Sequence, residues 1–581
     1  MSTAERQNET MSNEPQLVSD TRERAEAPEQ VEAPEHDASP QPGEASSIVA
    51  APAGSFRGVR EGAARVWRGI RYAQPPTGEL RWRAPVAAAD IDGIVDALEF
   101  GPVCPQPHNP TVRLPEGVRF DEDCLFLNVW APAEGAAGAE TAGAEAAGAE
   151  TQGSAEAAET APPADPLPVM VWLHGGAYLY GAGSQSLYDG SALVADGVLV
   201  VTLNYRLGAF GFLDLSRCGE PGEFDSNLAL RDVLLALEWV QRNIAAFGGD
   251  PERVTVFGES AGGGLVTTLL AVPRAEGLFH RAIAQSSPAS SVYGEERAFR
   301  AARRFLTELG VSVGDAGELR EPGAGVDELV RASARVFAEI PAEAPGTIAF
   351  APVVDGDLVP EAPITVLREG RGLPVPLIIG TNRNEASVFK FMKSPLMPVS
   401  DEQIREMLED IAQERPELQV PEIAQIRTAY EGVRRQAIGL GIGRDIGFRL
   451  PTLWIAEGHS AVAPVWLYRF DYTTPMLRLS GLGATHASEV AYVWRRLEDP
   501  AMEFPFKLGG RRHAATVSAR MSGRWLSFAK GGAPEMPDAR EWPHYELDDR
   551  PSLVIDAEDR VATGLDTELR QGWGDEVLAF P

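Results

Sequence analysis

The sequence predicts an α/β fold, with a mostly parallel central sheet, helices on both faces, and helical insertions over the sheet's carboxyl edge. Three observations carry this prediction. Short β-branched runs recur along the chain, helix-period segments alternate with them, and glycine-rich turns separate one from the other. In chain order the buried runs are Val169–Leu173, Val198–Tyr205, Arg253–Phe257, Arg281–Gln285, Pro376–Thr381 and Val465–Phe470. Each is too short for a helix and too uniformly apolar for a strand with one wet face, so each reads as a strand covered on both sides. Between the second and third, Asn227–Phe247 spaces Leu230, Val233, Leu237, Val240, Ile244 and Phe247 three or four apart, which is one face of an amphipathic helix. Helical patterns near 400–440 and 443–462 interrupt the alternation before the last strand. In open α/β sheets such insertions fall where ligands bind.

The 581 residues are 44% hydrophobic and 23% charged, a globular balance. Lys and Arg number 52 against 84 Asp and Glu, for a formal charge of −32. That excess disfavours nucleic acid or an anionic bilayer as a partner, since both select cationic faces. Much of the charge lies outside the α/β pattern. Residues 1–54 hold eleven acidic and three basic side chains, and 133–166 hold seven acidic and none basic, together −15 of the −32. Both segments are poor in large apolar residues. The expectation is a disordered acidic tail at 1–54, a disordered Ala/Gly/Glu-rich loop insertion at 133–166, and one catalytic domain over 55–581. No run approaches the roughly 18 apolar residues of a membrane span. The start has no apolar stretch after basic residues, so a cytoplasmic address is expected. Three cysteines provide neither a disulfide scaffold nor a zinc set.

Chemistry enters at Gly258-Glu259-Ser260-Ala261-Gly262, between the strand ending at Phe257 and the helical GGLVTTLLA. This is G-x-S-x-G in its strand–turn–helix setting, the nucleophile elbow of α/β-hydrolase folds. The serine must sit on a tight turn to raise its hydroxyl above the sheet, and glycines on either side leave room for strand and helix. Upstream, VMVWL runs into His174-Gly175-Gly176-Ala177, where a glycine pair exposes N–H groups at the same edge. Gly176, Ala177 and Ala261 are the expected oxyanion donors. His174 precedes the nucleophile and is expected to shape the loop rather than act as base.

Phe247–Gly262 (FGGDPERVTVFGESAG) resembles the serine-active-site signature of type B carboxylesterases, and Glu122–Val129 (EDCLFLNV) resembles that family's second signature. WLHGGAYLYGAGS, LVVTLNYRLGAFGFL and GLFHRAIAQSS fit as well. The likeness runs over nearly all of 55–581 and includes bacterial para-nitrobenzyl esterase-like members. It implies a serine esterase whose triad follows the order serine, acid, histidine. Of eight histidines, His459, His486, His513 and His544 come late enough. His459 lies in a helical run, His513 opens a helix and His544 belongs to the C-terminal extension. His486 sits in the loop after strand VWLYRF, within His-Ala-Ser-Glu, where the family has a similar motif with Gly in place of Ala487. Glu385, after PLIIGTN, occupies the location of the family's glutamate; Asp355, Asp357 and Asp471 are its rivals. Glu259 is expected in a buried structural ion pair. Ser286 resembles a family serine that supports the acid. Cys104 and Cys124 resemble a disulfide of secreted relatives, and in a reducing compartment they would remain thiols.

The expected function is therefore hydrolysis of small to medium carboxylic esters through an acyl-enzyme. No cofactor and no metal is expected, and the partner is a small-molecule ester. A catalytically silent recognition module on the same fold is the alternative from another class, and carbamate or amide hydrolysis is the neighbouring one. Tyr178, Phe350, Phe389 and Phe391 are candidate pocket walls.

Overall fold

A computed structural model describes residues 47–133, 165–321, 325–392, 394, 396–398, 400–432 and 435–580. Within them a mixed sheet is built from β1 (Ser47–Ala51), β2 (Gly54–Glu61), β3 (Ala64–Arg71), β4 (Ile94–Asp96), β5 (Phe126–Pro132), β6 (Leu167–Leu173) and β7 (Leu199–Leu203). It continues through β8 (Gly249–Glu259), β9 (Arg281–Gln285), β10 (Leu377–Asn382), β11 (Val465–Phe470), β12 (Pro551–Ile555) and β13 (Arg560–Thr563). The spatial order is β1-β2-β3-β5-β7-β6-β8-β9-β10-β11-β12-β13, with β4 beside β2. From β7 to β12 every pairing is parallel, and antiparallel strands close both ends.

The predicted strands owe their apolar continuity to two separate cores. Val169, Val171 and Leu173 of β6 enter one core, shared with the helix α1 (Leu228–Asn243). Met170 and Trp172 of the same strand enter the other, packed with Met521 and Trp525 of the long helix Arg511–Gly531. Alternation along each strand thus feeds both faces, so neither shows a polar register.

Connection order fixes where a ligand site can form. The chain leaves β6 for β7 on one side and returns through α1 to β8 on the other, so β6 lies at a reversal of strand order. Loops leaving the carboxyl ends of β6 and β8 therefore diverge and open a crevice. The helices α2 (Ala261–Leu269) and α3 (Glu295–Glu308) follow β8 and β9. Over the crevice lie α4 (Asp401–Glu414) and a π-helical turn at Asp445–Arg449, from the two segments expected to insert there, whereas α5 (Leu450–His459) packs on the sheet beside β10 and β11 and ends with His459 against Val375, just before β10.

The expected tail at 1–54 ends too late. Residues 1–46 lie outside the described residues, but Ser47–Ala51 is a strand paired antiparallel with β2, because Val49 can bury its side chain in the core there. For the expected insertion at 133–166, residues 134–164 lie outside the described residues. Ala133 is buried and its N–H donates to Ala63 O at 2.8 Å, so it belongs to the end of β5. Among the described residues no helix is long and apolar enough to cross a membrane.

Candidate active site

Ser260 occupies φ 57°, ψ −124°, between the last residue of β8 and the first of α2. Few L-residues adopt this conformation, and surrounding contacts hold it. The Ser260 N–H donates to Gln285 O at 3.0 Å, and Ser260 O accepts from the Gly264 N–H at 2.8 Å. The flanking glycines are sterically required. A Cβ on Gly262 would stand 1.9 Å from Leu173 O, and one on Gly258 would stand 2.6 Å from the Gly262 backbone. The elbow is thereby pressed against the end of β6.

The loop after β6 turns back sharply. Gly176, Ala177 and Tyr178 all have positive φ, at 124°, 53° and 61°. A Cβ on Gly176 would lie 2.1 Å from Tyr180 O, and one on Gly175 would meet Ser260 Cβ at 3.1 Å, so this loop runs directly beside the serine. Ala177, Ser260 and Ala261 line the same cleft. His174 is fully buried, stacked on Tyr205 with ring centroids 4.4 Å apart, and its Nδ1 lies 2.9 Å from Gly175 O. Burial pushes its pKa down to about 4, which keeps it neutral in its loop-shaping position.

The chain reaches the same edge twice more. Glu385 follows β10 and is completely buried. Its Oε1 accepts from Ser286 Oγ and from the Asn382 N–H, both at 2.6 Å. Its Oε2 lies 2.6 Å from His486 Nδ1. Since a carboxylate oxygen accepts, this contact puts the imidazole proton on Nδ1 and leaves Nε2 as the basic nitrogen. Nε2 is buried without a hydrogen-bond partner. The His486 loop is tied to the β10 loop by Asn384 N–H to Ala484 O (2.8 Å) and Asn382 Nδ2 to Thr485 O (2.8 Å).

The rivals go elsewhere. Asp355 caps its own turn, accepting from the Asp357 and Val359 N–H groups, while Asp357 is exposed and pairs with Arg231. Asp471 pairs with Arg469 and Arg383. His459 is buried in α5 with Nε2 2.8 Å from Val375 O.

Glu259 differs from expectation. It is buried beside a basic group, but that group is the ring of His486 rather than a structural cation: Oε1 lies 3.2 Å from His486 Nε2. Burial pushes the Glu259 pKa up, with the Glu489 and Glu385 charges adding to the effect and His486 opposing it. Burial alone would lower His486, yet the carboxylates of Glu259 and Glu385 outweigh it and raise the imidazole pKa. Glu489 escaped the sequence reading. It is fully buried, accepts from Gln285 Nε2 at 3.0 Å and from Asn382 Nδ2, and so links the ends of β9 and β10 beneath the histidine. Its place as the last residue of His-Ala-Ser-Glu was the available signal.

Above the serine the cleft encloses about 760 Å³, its open mouth included. Tyr178 and Phe389 line it as expected. Phe350 instead belongs to the core, and Phe391 is 69% exposed; neither lines the cleft. Phe448, from the π-helical turn, was not foreseen. Its ring lies 4.7 Å from the His486 imidazole and 6.1 Å from Phe389, shielding the base from water. Cys104, Cys124 and Cys218 are all buried free thiols. Among the described residues no cluster of three or more His, Cys, Asp or Glu could hold a metal ion.

A family model described as "Carboxylesterase family" matches residues 45–573. The chain belongs to the carboxylesterase family. This carboxylesterase is 37% identical over 527 residues to a para-nitrobenzyl esterase of Bacillus subtilis (strain 168), covering 90% of its own chain and 98% of the relative. It is 32% identical to a phenmedipham hydrolase of Pseudarthrobacter oxydans, over 87% of its chain and 94% of that protein. Among solved structures, a PNB esterase superposes with a TM-score of 0.77 at 34% identity, covering 91% and 100% of the two chains. A carboxylesterase of Geobacillus stearothermophilus gives 0.74 at 34% identity over the same shares. The α/β-hydrolase fold and a serine carboxylic ester hydrolase activity follow for this chain, and the silent-module alternative falls away.

Proposed function

We propose that Ser260 is the nucleophile, His486 the general base and Glu385 the carboxylate that orients it, with the N–H groups of Gly176, Ala177 and Ala261 as oxyanion donors. The enzyme would act on neutral carboxylic esters of small to medium size. The observation that supports this most is the 2.6 Å contact of His486 Nδ1 with Glu385 Oε2, which turns the other ring nitrogen, Nε2, toward the elbow, 3.2 Å from Oε1 of Glu259.

In the forward step Ser260 Oγ adds to the ester carbonyl carbon while its proton passes to His486 Nε2. Negative charge collects on the former carbonyl oxygen, and the three N–H groups oppose it. The tetrahedral species expels the alcohol, which takes its proton from the imidazolium. Water then repeats the sequence on the acyl-enzyme and frees the acid. Glu385 stays ionised throughout and steadies the transient imidazolium, while Ser286 and the Asn382 N–H hold that carboxylate in place. Tight positioning over the cleft relies on the apolar walls, which exclude bulk water from the developing charge.

The test is Ser260→Ala, assayed on p-nitrophenyl acetate alongside fluorophosphonate labelling of the wild type. Turnover is expected to fall by about 10⁴–10⁶ with the fold retained, and the label should map by mass to the peptide holding Ser260. Wild-type turnover in the variant would refute the assignment.

A further inference from the structure

One wall of the cleft comes from an unexpected part of the chain. Leu578, Ala579 and Phe580 line it together with residues contributed by α4. Phe580 is held from behind. The guanidinium carbon of Arg297 lies 3.6 Å from its ring centroid, and Tyr293 meets it edge-on at 6.5 Å. Arg297, on α3, is itself buried and fixed by three hydrogen bonds: Nε and Nη2 to the Glu414 carboxylate at 2.9 and 2.8 Å, and Nη1 to Thr347 Oγ1 at 2.7 Å. Glu414 closes α4, the helix that supplies Met407 and Ile411 to the adjoining wall. A Cβ on Gly346, which has φ +83°, would lie 2.7 Å from Met407 Sδ and 3.6 Å from Phe580, so the backbone there approaches as closely as it can.

A guanidinium desolvated over an aromatic face and locked by a bidentate carboxylate is a stiff support. The ring it carries is buried at the protein side and bare toward the cleft. Arg297 spends its donors on Glu414 and Thr347, which leaves the wall itself apolar: Met407, Ile411, Leu578 and Phe580 offer no group that would pair with a charged substrate arm.

We propose that Phe580, pinned by Arg297, is the end wall that limits the length of the apolar arm of the ester. Phe580 touches substrate and determines specificity; Arg297 is a positioning residue that acts through the ring. This inference rests on Ser260 being the nucleophile of the cleft. Removing the ring deepens the cleft and favours longer arms, and a larger ring shortens it. In a hydrophobic pocket a single methylene commonly changes kcat/KM about tenfold or more, so the effect falls on the ratio between long and short esters.

The experiment measures kcat and KM for two series: p-nitrophenyl esters from acetate to decanoate, and acetates of alcohols of rising length. The proteins are wild type, Phe580→Ala, Phe580→Leu, Phe580→Trp, Arg297→Met and Arg297→Lys. In at least one series the long-to-short ratio of kcat/KM should rise about tenfold or more in Phe580→Ala, rise less in Phe580→Leu, and fall in Phe580→Trp, mainly through KM. Arg297→Met should follow Phe580→Ala, and Arg297→Lys, which keeps a cation behind the ring, should lie closer to wild type. A purely structural role would depress all chain lengths equally. Unchanged ratios in both series, or shifts of one sign for Leu and Trp, overturn the proposal, and the Leu and Trp variants decide it if Phe580→Ala does not fold. Fluorophosphonate labelling separates the two levels. Labelled Ser260 with a flat chain-length response sinks only the wall; failure to label Ser260 in the wild type sinks the reading beneath it.

Discussion

In the proposed mechanism His486 Nε2 must be unprotonated to accept the Ser260 proton, and its surroundings work against that. Glu259 Oε1 lies 3.2 Å away and Glu385 Oε2 holds the opposite nitrogen, so the imidazolium is favoured over the neutral ring. Glu259 in turn resists ionisation because it is buried and near Glu489 and Glu385. Both groups are pushed toward their protonated forms, and because each acts on the other, the titration belongs to the pair. Activity rises as pH climbs through the raised pKa, which places the acid limb of kcat/KM above the ordinary histidine value of about 6.5. Replacing Glu259 with Gln removes the carboxylate beside Nε2, so the limb should move to lower pH by about one unit or more, the usual effect of one close opposite charge. Profiles of kcat/KM from pH 5 to 10 for both proteins test this, and coincident limbs would exclude Glu259 as the cause. That Ser260, Glu385 and His486 come to one sheet edge was legible in the sequence, because a motif, a chain order and a family likeness converge on them. The 3.2 Å approach of Glu259 was not, since adjacency to a nucleophile does not say which way a side chain turns.

At the scale of elements, five strand ends deliver the site to one edge. The parallel pairing of β6, β8, β9, β10 and β11 puts Leu173, Glu259, Gln285, Asn382 and Phe470 at the same side of the sheet. These strands were readable because burial on both faces leaves a mainly apolar run at the centre of each. The loop from β11 to His486 carries a residual conflict. Ala487 holds φ 62°, the left-handed region where a Cβ costs roughly 1–2 kcal/mol. The neighbouring interactions of Thr485 with Asn382 and with the Val388 N–H keep the loop in that shape regardless. Ala487→Gly relieves the Cβ strain while adding about 0.4–1 kcal/mol of unfolded-state freedom. The net expectation is a gain of about 0.5–1 kcal/mol, seen as a modest rise in Tm with kcat/KM on p-nitrophenyl acetate as the accompanying readout. A lower Tm would mean that the left-handed turn is not strained by its alanine. The cleft walls were less legible than the strands. Phe389, Phe448 and Phe580 line one cleft only because three separate segments fold over one edge; Phe389 was expected there, but nothing in the sequence around Phe448 or Phe580 marks it as a wall.

For the molecule as a whole, the described residues that flank 134–164 lie at the end of the sheet remote from Ser260. Ala133 leaves β5 beside the start of β7, where Trp130 pairs with Val200, and Leu167 starts β6 beside Gly249. The carboxyl ends of β6 and β8, which carry the glycine loop and Ser260, are a full strand length away. Because β7 alone separates β5 from β6, their ends stand about two strand spacings apart, or ~10 Å. A linker of five residues spans that gap with slack, at about 3.3–3.6 Å per extended residue. Replacing 134–164 with Gly-Ser-Gly-Ser-Gly removes six carboxylates and no basic group, a change in formal charge from −32 to −26. The two attachment points, a strand length from Ser260, stand farther away than the ~8–10 Å over which exposed charges act at moderate salt. The shortened enzyme is therefore expected to keep kcat/KM on p-nitrophenyl acetate within about twofold at 0.15 M salt and its Tm within a few degrees, because no described strand loses a partner. Assay and melting of the two proteins side by side decide the point. A tenfold loss of kcat/KM with an unchanged melt would mean that residues 134–164 reach the cleft from the far edge, and a collapse of the melt would mean that they hold β5 and β6 in register.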